Sequence, residues 1–255
     1  MTKTTDRVAL DQWCVVGCST EIVAGREHRV RMLGQDVAAG RSADGGVGVH
    51  EVSADGSLGA KLGVRERYGH VWATLGQPAR DLPAIPEFDE PGRRLITCGS
   101  VRVHTSSSRI VENFLDMAHF PFVHTGILGA ESHTEVGDYK AELRREVDEV
   151  WATKCEFYQP KAAAAAGAGQ MVHYQYRVMT PFAAVLYKTC PSRPDAWDVI
   201  GVLNRPLEED LCDAYLWVLI YDETSSDNEV RQFQQEIFLQ DRIILENQRP
   251  KLLPL

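Results

Sequence analysis

An α+β fold is predicted for this chain: a small all-β module, then an antiparallel sheet closed by a long C-terminal helix. Three observations predict it. Residues 1–76 hold short β-like runs punctuated by glycine. Residues 77–92, QPARDLPAIPEFDEPG, carry Pro78, Pro83, Pro86 and Pro91, a density that excludes regular structure and marks a boundary between two domains. Residues 93–255 alternate as strands and finish in a run of helical period, EVRQFQQEIFLQDRIILENQRP.

In chain order, WCVVGC, HRVRML, DVAAGR and the residues from Val47 to Val52 read as strands, separated by turn pairs such as Asp44-Gly45 and Asp55-Gly56. ERYGHVWATLG, residues 66–76, reads as one further strand centred on Val71 and Trp72. After the proline-rich connection, residues 93–108 read as a strand that leads into a helix from Arg109 to Ala118, with Ile110, Phe114, Leu115 and Ala118 at helical spacing. Beyond it VGDYKAELRREVDEVWATKCEFYQP alternates as strand, and PKAAAAAGAGQ, residues 160–170, reads as a loop because Pro160, Gly167 and Gly169 flank its alanines. MVHYQYRVMTPFAAVLYKTC, WDVIGVLNRPLEED and CDAYLWVLIYD supply three more strands.

The chemistry concentrates in RIVENFLDMAHFPFVHT. On a helix Asn113, Asp116 and His119 would stack three apart on one face. Pro121 cannot continue that helix, so His124 arrives from a loop. Two imidazoles reaching one point from different directions suggest a metal, and two His with one carboxylate make the facial set of non-haem Fe(II) oxygenases. The best third ligand is Asp241, which shares a mostly apolar helix face with Ile237, Phe238 and Leu245. An acid on such a face needs a partner: a metal, or an Arg or Lys.

N-x-x-D-x-x-H-x-x-x-x-H, here Asn113, Asp116, His119 and His124, resembles the mononuclear-iron signature of the Rieske-type non-haem iron oxygenases, in the branch of aromatic N- and O-demethylases. QDRIILENQRP is similar to that branch's final ligand segment, which puts Asp241 in the carboxylate position. LDQWCVVGCSTEI, MLGQDVAAGRSADGGV, ERYGHVWATLGQP and LNRPLEEDLCDAYLWVLIYD extend the likeness over most of the chain. The resemblance implies a helix-grip (START-like) catalytic domain over 93–255, its sheet wrapped around the C-terminal helix, and a Rieske-like β module over 1–76.

That module reads as vestigial. A Rieske [2Fe–2S] cluster takes two Cys and two His, which the family writes as C-x-H and C-x-x-H. No Cys here has a His two or three positions after it, and GVGVHEVSADGSLGAKLGVRE stands where the cluster loops belong, with His50 lacking a Cys in register. The Rieske ligands are therefore expected to be none, and the chain to hold no [2Fe–2S] cluster. The family also continues beyond the point where this sequence stops at Leu255.

By role, His119, His124 and Asp241 are expected to hold Fe(II), with O2 as co-substrate. Asp116 would accept the His119 N–H that faces away from the metal, and the resemblance adds that it carries the electron path; Asn113 joins it as a catalytic candidate. Gln234, Ile237 and Phe238 precede Asp241 on the same helix face and are the substrate-contact candidates, with Phe238 in the core and Gln234 in solvent as the alternative. His104, His133 and His173 read as surface or strand histidines.

The resemblance implies electrons from NAD(P)H through a Rieske-containing reductase or ferredoxin, a structural partner subunit, and a trimer-like hetero-oligomer. The cluster-less architecture is similar to the N7-demethylase branch of bacterial methylxanthine and caffeine breakdown. This makes 7-methylxanthine, demethylated with release of formaldehyde, the preferred small heteroaromatic substrate. An aromatic O-demethylase, a ring hydroxylase or a non-catalytic structural subunit are the alternatives. A net charge of −9 disfavours nucleic acid and anionic membrane as partners. The polar start and the lack of a long apolar run point to a cytoplasmic protein. The six cysteines, without a C-x-x-C pair, read as buried thiols.

Overall fold

The computed structural model describes residues 3–164, 166–191 and 193–253; of the predicted 160–170 loop, Ala165 lies outside the described residues. A four-residue helix α1 (Arg7–Leu10) precedes seven short strands: β1 (Cys14–Cys18), β2 (His28–Met32), β3 (Gln35–Arg41), β4 (Val47–Val52), β5 (Leu58–Lys61), β6 (Gly63–Arg67) and β7 (His70–Thr74). They form two small antiparallel sheets, β1-β7-β6 and β2-β3-β4-β5. The single strand predicted over 66–76 is instead a hairpin. Tyr68 and Gly69 both take positive φ, 59° and 72°, the two-residue turn whose twist matches paired strands. The region expected to hold cluster loops is occupied by β4, β5 and β6, with a tight turn between β4 and β5 and only Leu62 between β5 and β6, and His50 sits in the β3–β4 ladder opposite Ala38.

The proline-rich connection contains one 3-10 turn, Pro86–Asp89, and then β8 (Arg94–Val103), α2 (Ser107–Leu115) and α3 (Phe120–Val123) follow. The remaining strands are β9 (Lys140–Arg144), β10 (Glu149–Gln159), β11 (Gln170–Thr180), β12 (Ala183–Cys190), β13 (Arg193–Glu208) and β14 (Leu211–Ile220), and α4 (Asp227–Asn247) closes the chain. The run from Met171 to Cys190, predicted as one strand, is two, because the chain reverses at Pro181. α4 starts on a capping box: the Ser226 hydroxyl meets the Glu229 N–H while the Glu229 carboxylate reaches back to the Ser226 N–H.

Sheet order explains where the site must lie. β9 to β14 form an antiparallel meander, but β8 pairs with β14, at the edge opposite β9. Between β8 and β9 the chain therefore crosses six inter-strand spacings, about 29 Å. α2, α3 and the following loop make that crossing over one face of the sheet, which α4 also covers. There Ile110 and Val111 of α2 and Val230, Phe238 and Leu245 of α4 pack on Ala184, Val202 and Ala214. The opposite face receives the β module: Trp13, Val15 and Trp72 pack with Tyr187, Val199 and Trp217. With both faces covered, the central strands bury almost every residue, which is why β14 reads LWVLI without alternation.

A charge cluster, buried at Asp213 and Arg205 and exposed at Arg102, joins the two parts. Arg102, Asp213 and Arg205 are cross-strand neighbours on β8, β14 and β13. Asp213 accepts from Arg102 at 2.8 Å and Arg205 at 2.6 Å, and Arg205 also donates to the Val16 carbonyl of β1. Burial works against the Asp213 charge, yet the two guanidiniums outweigh it and hold the carboxyl below its usual range. Its stabilisation is therefore full above the unfolded carboxylate pKa of about 3.9 and is lost as pH falls through the lower folded value. Asp213→Asn strands a buried guanidinium, so denaturant titration at neutral pH is expected to show a loss of about 3–5 kcal/mol. A loss below about 1 kcal/mol would mean that the cluster is replaceable by solvent.

All six cysteines are buried, and none of them forms a disulfide among the described residues. Among those residues no helix is long and apolar enough to cross a membrane.

Candidate metal centre and active site

The motif folds differently from the continuous helix predicted over 109–118, and the difference builds the site. α2 stops at Leu115 because Asp116 takes extended backbone, φ −83° and ψ 125°, and its Oδ1 accepts the Ala118 N–H at 2.8 Å. A short acidic side chain that bonds its own backbone competes with the helix. Asn113, Asp116 and His119 therefore do not stack on one helix face. Pro121 is not the breaker either: it lies in the first turn of α3, where a missing N–H costs nothing. His119 and His124 bracket α3 as its N-cap and C-cap. A Cβ on Gly129 would strike the backbone of Phe120 and Pro121, so glycine lets the returning loop press against this short helix.

The two imidazoles converge with the α4 carboxylate. His119 Nε2 and His124 Nε2 lie 3.1 Å apart, and Asp241 Oδ1 is 3.3 Å from the first and 2.9 Å from the second. His124 and Asp241 are buried, and the His119 side chain is 14% exposed. The outward nitrogens are both occupied: His119 Nδ1 faces Asp116 Oδ2 at 3.1 Å, and His124 Nδ1 faces Gln240 Oε1 at 2.8 Å. Since a carboxylate and an amide oxygen only accept, each Nδ1 carries the proton and each Nε2 of a neutral ring presents a bare lone pair. With both rings neutral, two lone pairs and a carboxylate oxygen meet in a buried space. That donor set fits a cation, and spacings near 3 Å are those of three ligands sharing one face of an octahedron. Asn113 Nδ2 lies 3.4 Å from Asp241 Oδ1 and orients that carboxylate.

The electrostatics agree. Burial opposes a charge on His119, but the Asp116 and Asp241 carboxylates outweigh it and hold the imidazole up at about 9. Asp241 is held below the usual carboxylate range, because the hydrogen bonds from the two histidines overcome its burial. Without a metal, a proton on His119 takes the place of the cation. Metal must displace that proton, so between about pH 6 and pH 8 apparent Fe(II) affinity is expected to rise by about tenfold per pH unit. Anaerobic competition with a chromophoric chelator measures this; a flat profile would show that His119 releases no proton when iron binds.

A cavity of about 80 Å³ opens beside the triad, walled by Phe120, Leu186, Phe233 and Ile237, with Gln159 and Lys188 among its polar groups. It adjoins a larger cavity of about 470 Å³, and Lys188, Ile200, Phe233 and Gln234 line both. Of the predicted substrate contacts, Ile237 and Gln234 reach this space. Phe238 does not line it, but packs into the core beneath α4. On the outer side Asn113, Asp116 and His119 face a broad groove of about 1080 Å³. His104, His133 and His173 are exposed, away from the triad. Sequence reasoning missed Gln240, Gln159, Tyr174 and Lys188. Only Gln240 had a legible signal, its position next to Asp241.

Two histidines and a carboxylate, set between a helix-grip sheet and its C-terminal helix, form the donor set found in mononuclear non-haem iron oxygenases. Residues 103–255 match the family described as vanillate O-demethylase oxygenase C-terminal domain, and the chain belongs to this family of Rieske-type oxygenases. It is 45% identical over 246 residues to the "Probable methylxanthine N7-demethylase NdmC" of Pseudomonas sp. (strain TJI-51), covering 96% of this chain and 86% of that protein. The methylxanthine N3-demethylase NdmB of Pseudomonas putida is 25% identical over 189 residues, which span 72% of this chain and 51% of that protein. Among solved structures, NdmA of Pseudomonas putida CBB5 superposes with a TM-score of 0.73 at 16% identity, over 96% of this chain and 83% of that one. Dicamba monooxygenase does so with a TM-score of 0.72 at 15% identity, over 94% and 87%. The chain is thus an oxygenase related to methylxanthine N-demethylases, and its family implies mononuclear iron and O2.

Proposed function

We propose that this chain is the oxygenase component of a methylxanthine N-demethylase and that 7-methylxanthine is its substrate. The single observation that carries the reading is the 45% identity to a protein described as a probable methylxanthine N7-demethylase, sustained over almost the whole chain. The metal triad supports the chemistry, and the mostly apolar cavity beside it supports a flat aromatic substrate.

Bound iron would activate O2 beside the substrate methyl group. The net reaction inserts one oxygen atom into a C–H bond of the N-methyl group. The other oxygen leaves as water with two electrons and two protons, and the N-hydroxymethyl product then breaks its C–N bond to give formaldehyde and N–H. The chain's own residues prepare this. His119, His124 and Asp241 would hold the metal; Asp116, Gln240 and Asn113 fix the orientation of those three ligands. Phe120, Phe233 and Ile237 exclude water from the reacting carbon.

The electrons come from NAD(P)H through a separate Rieske-containing reductase, because the N-terminal β module has no C-x-H or C-x-x-H pair to hold a cluster. The groove that exposes Asp116 is the docking face for that donor. A structural partner subunit and a trimer-like hetero-oligomer complete the proposed assembly. Iron-loaded protein supplied with NADH and a Rieske-containing reductase is expected to release one formaldehyde per 7-methylxanthine consumed, with xanthine as product. Formaldehyde from a methoxybenzoate but from no methylxanthine would replace this reading with an aromatic O-demethylase.

A further inference from the structure

The strand row facing the iron cavity carries a buried cation that neither the metal centre nor the packing uses. Tyr174 on β11, Lys188 on β12 and Asp198 on β13 are direct cross-strand partners, which puts their side chains side by side on the sheet. All three are buried. Lys188 lies at the junction, lining both the cavity beside the triad and the larger one outside it; Tyr174 lines the inner cavity and Asp198 the outer.

The Lys188 ammonium donates to the Ala162 carbonyl. Among the described residues no carboxylate comes within ion-pair distance, and Asp198 acts on it from farther away. An ammonium has three N–H donors, so donors are left over in a space that water reaches poorly. Two neighbours share this condition. The Tyr174 hydroxyl and Gln159 Oε1 are buried without a hydrogen-bond partner, and both residues line the same inner cavity. Buried polar atoms are rarely left unpaired unless a ligand or water completes them. Apart from the triad, Asn113 and Gln234, the other walls are apolar. Together these three side chains offer donors to a carbonyl oxygen and an acceptor to a ring N–H, over the face of a flat ring.

We infer that Lys188 anchors the substrate by donating to an exocyclic carbonyl oxygen of an oxopurine, while Gln159 Oε1 accepts a ring N–H and the Tyr174 hydroxyl completes the polar edge. This deepens the demethylase reading and rests on it. A bicyclic ring outgrows the inner cavity, so with its methyl group at the triad its far edge reaches the junction where Lys188 sits. The anchor also selects: a methylated ring without carbonyls would leave a desolvated ammonium unpaired, and sites built around a buried donor reject such analogues strongly.

The test is calorimetric titration of iron-loaded protein with two probes, 7-methylxanthine and 1-methylbenzimidazole, the second being a bicyclic N-methyl ring without carbonyls. Wild-type protein is expected to prefer the xanthine by at least about tenfold. Lys188→Met is expected to lose at least about tenfold on the xanthine and nothing on the benzimidazole, with iron content unchanged. Lys188→Gln, which keeps a donor without the charge, is expected to fall between. Xanthine binding that survives unchanged in Lys188→Met overturns the anchor while leaving the demethylase reading intact. Wild-type protein that binds no methylxanthine overturns the demethylase reading and the anchor with it. Where Lys188→Met does not fold, Tyr174→Phe carries the test, with about a threefold loss confined to the xanthine; equal losses on both probes overturn the proposal.

Discussion

Asp241→Ala protein is expected to retain less than about 0.1 iron per chain after purification and desalting, while folding as the wild type does. The loss follows from the donor geometry. Asp241 supplies the only carboxylate within reach of both Nε2 atoms among the described residues, and the two imidazoles alone offer a metal neither charge compensation nor a third anchor. Folding survives because the substitution also removes a buried charge whose burial is itself unfavourable. His119→Ala and His124→Ala are expected to behave in the same way. Iron analysis by mass spectrometry, with circular dichroism as the folding control, decides the matter. Retention of stoichiometric iron by Asp241→Ala would mean that another residue completes the ligand set.

Asp116→Asn is expected to give the opposite pattern: near-normal iron, with turnover lower by about 100-fold. The asparagine oxygen can still accept the His119 Nδ1–H, so the ring keeps its tautomer and its Nε2 keeps facing the metal position. What disappears is the negative charge that makes His119 a strong donor, at a residue that opens onto the outer groove. Formaldehyde release together with iron content checks both halves. Unimpaired turnover would remove Asp116 from the catalytic path, and lost iron would make it a structural support of the triad.

Much of this site was legible because its chemistry is written in residue types. The convergence of His119, His124 and Asp241 was readable from a spacing, a helix face and a carboxylate that needed a partner. The pairing of Asp116 with His119 was readable too, although through the wrong local structure. Three-residue spacing puts them near one another on a helix, and the turn that actually forms brings the same atoms to 3.1 Å. The helix ended early because Asp116 bonds the Ala118 N–H, and residue spacing alone does not carry that competition.

The sheet was less legible. The turn at Tyr68-Gly69 lacks the Asn-Gly or Asp-Gly pair that marks a two-residue hairpin, so β6 and β7 read as one strand. Pro181 turns the chain between β11, where burial largely alternates, and β12, which is buried almost throughout, and no glycine or Asn-Gly pair marks the reversal. For the same reason the polar residues of the cavity stayed hidden. Where a strand buries both faces, as β12 does, alternation does not say which side chains look at the metal. Lys188 therefore looked like any strand lysine. Phe238 was placed toward the substrate because it lies three residues from Asp241, but the core beneath α4 takes it.

The most direct test of the central claim is the iron and acid-labile sulfide content of the wild-type protein, reconstituted anaerobically with Fe(II) and desalted. The account predicts about one iron per chain, no sulfide and no cluster absorbance, since the proposed triad would hold a single ion and the sequence of the β module has no C-x-H or C-x-x-H pair. Iron below about 0.1 per chain would contradict the metal centre. Two or more irons with matching sulfide would contradict the reading of an oxygenase that draws its electrons from a cluster on another protein.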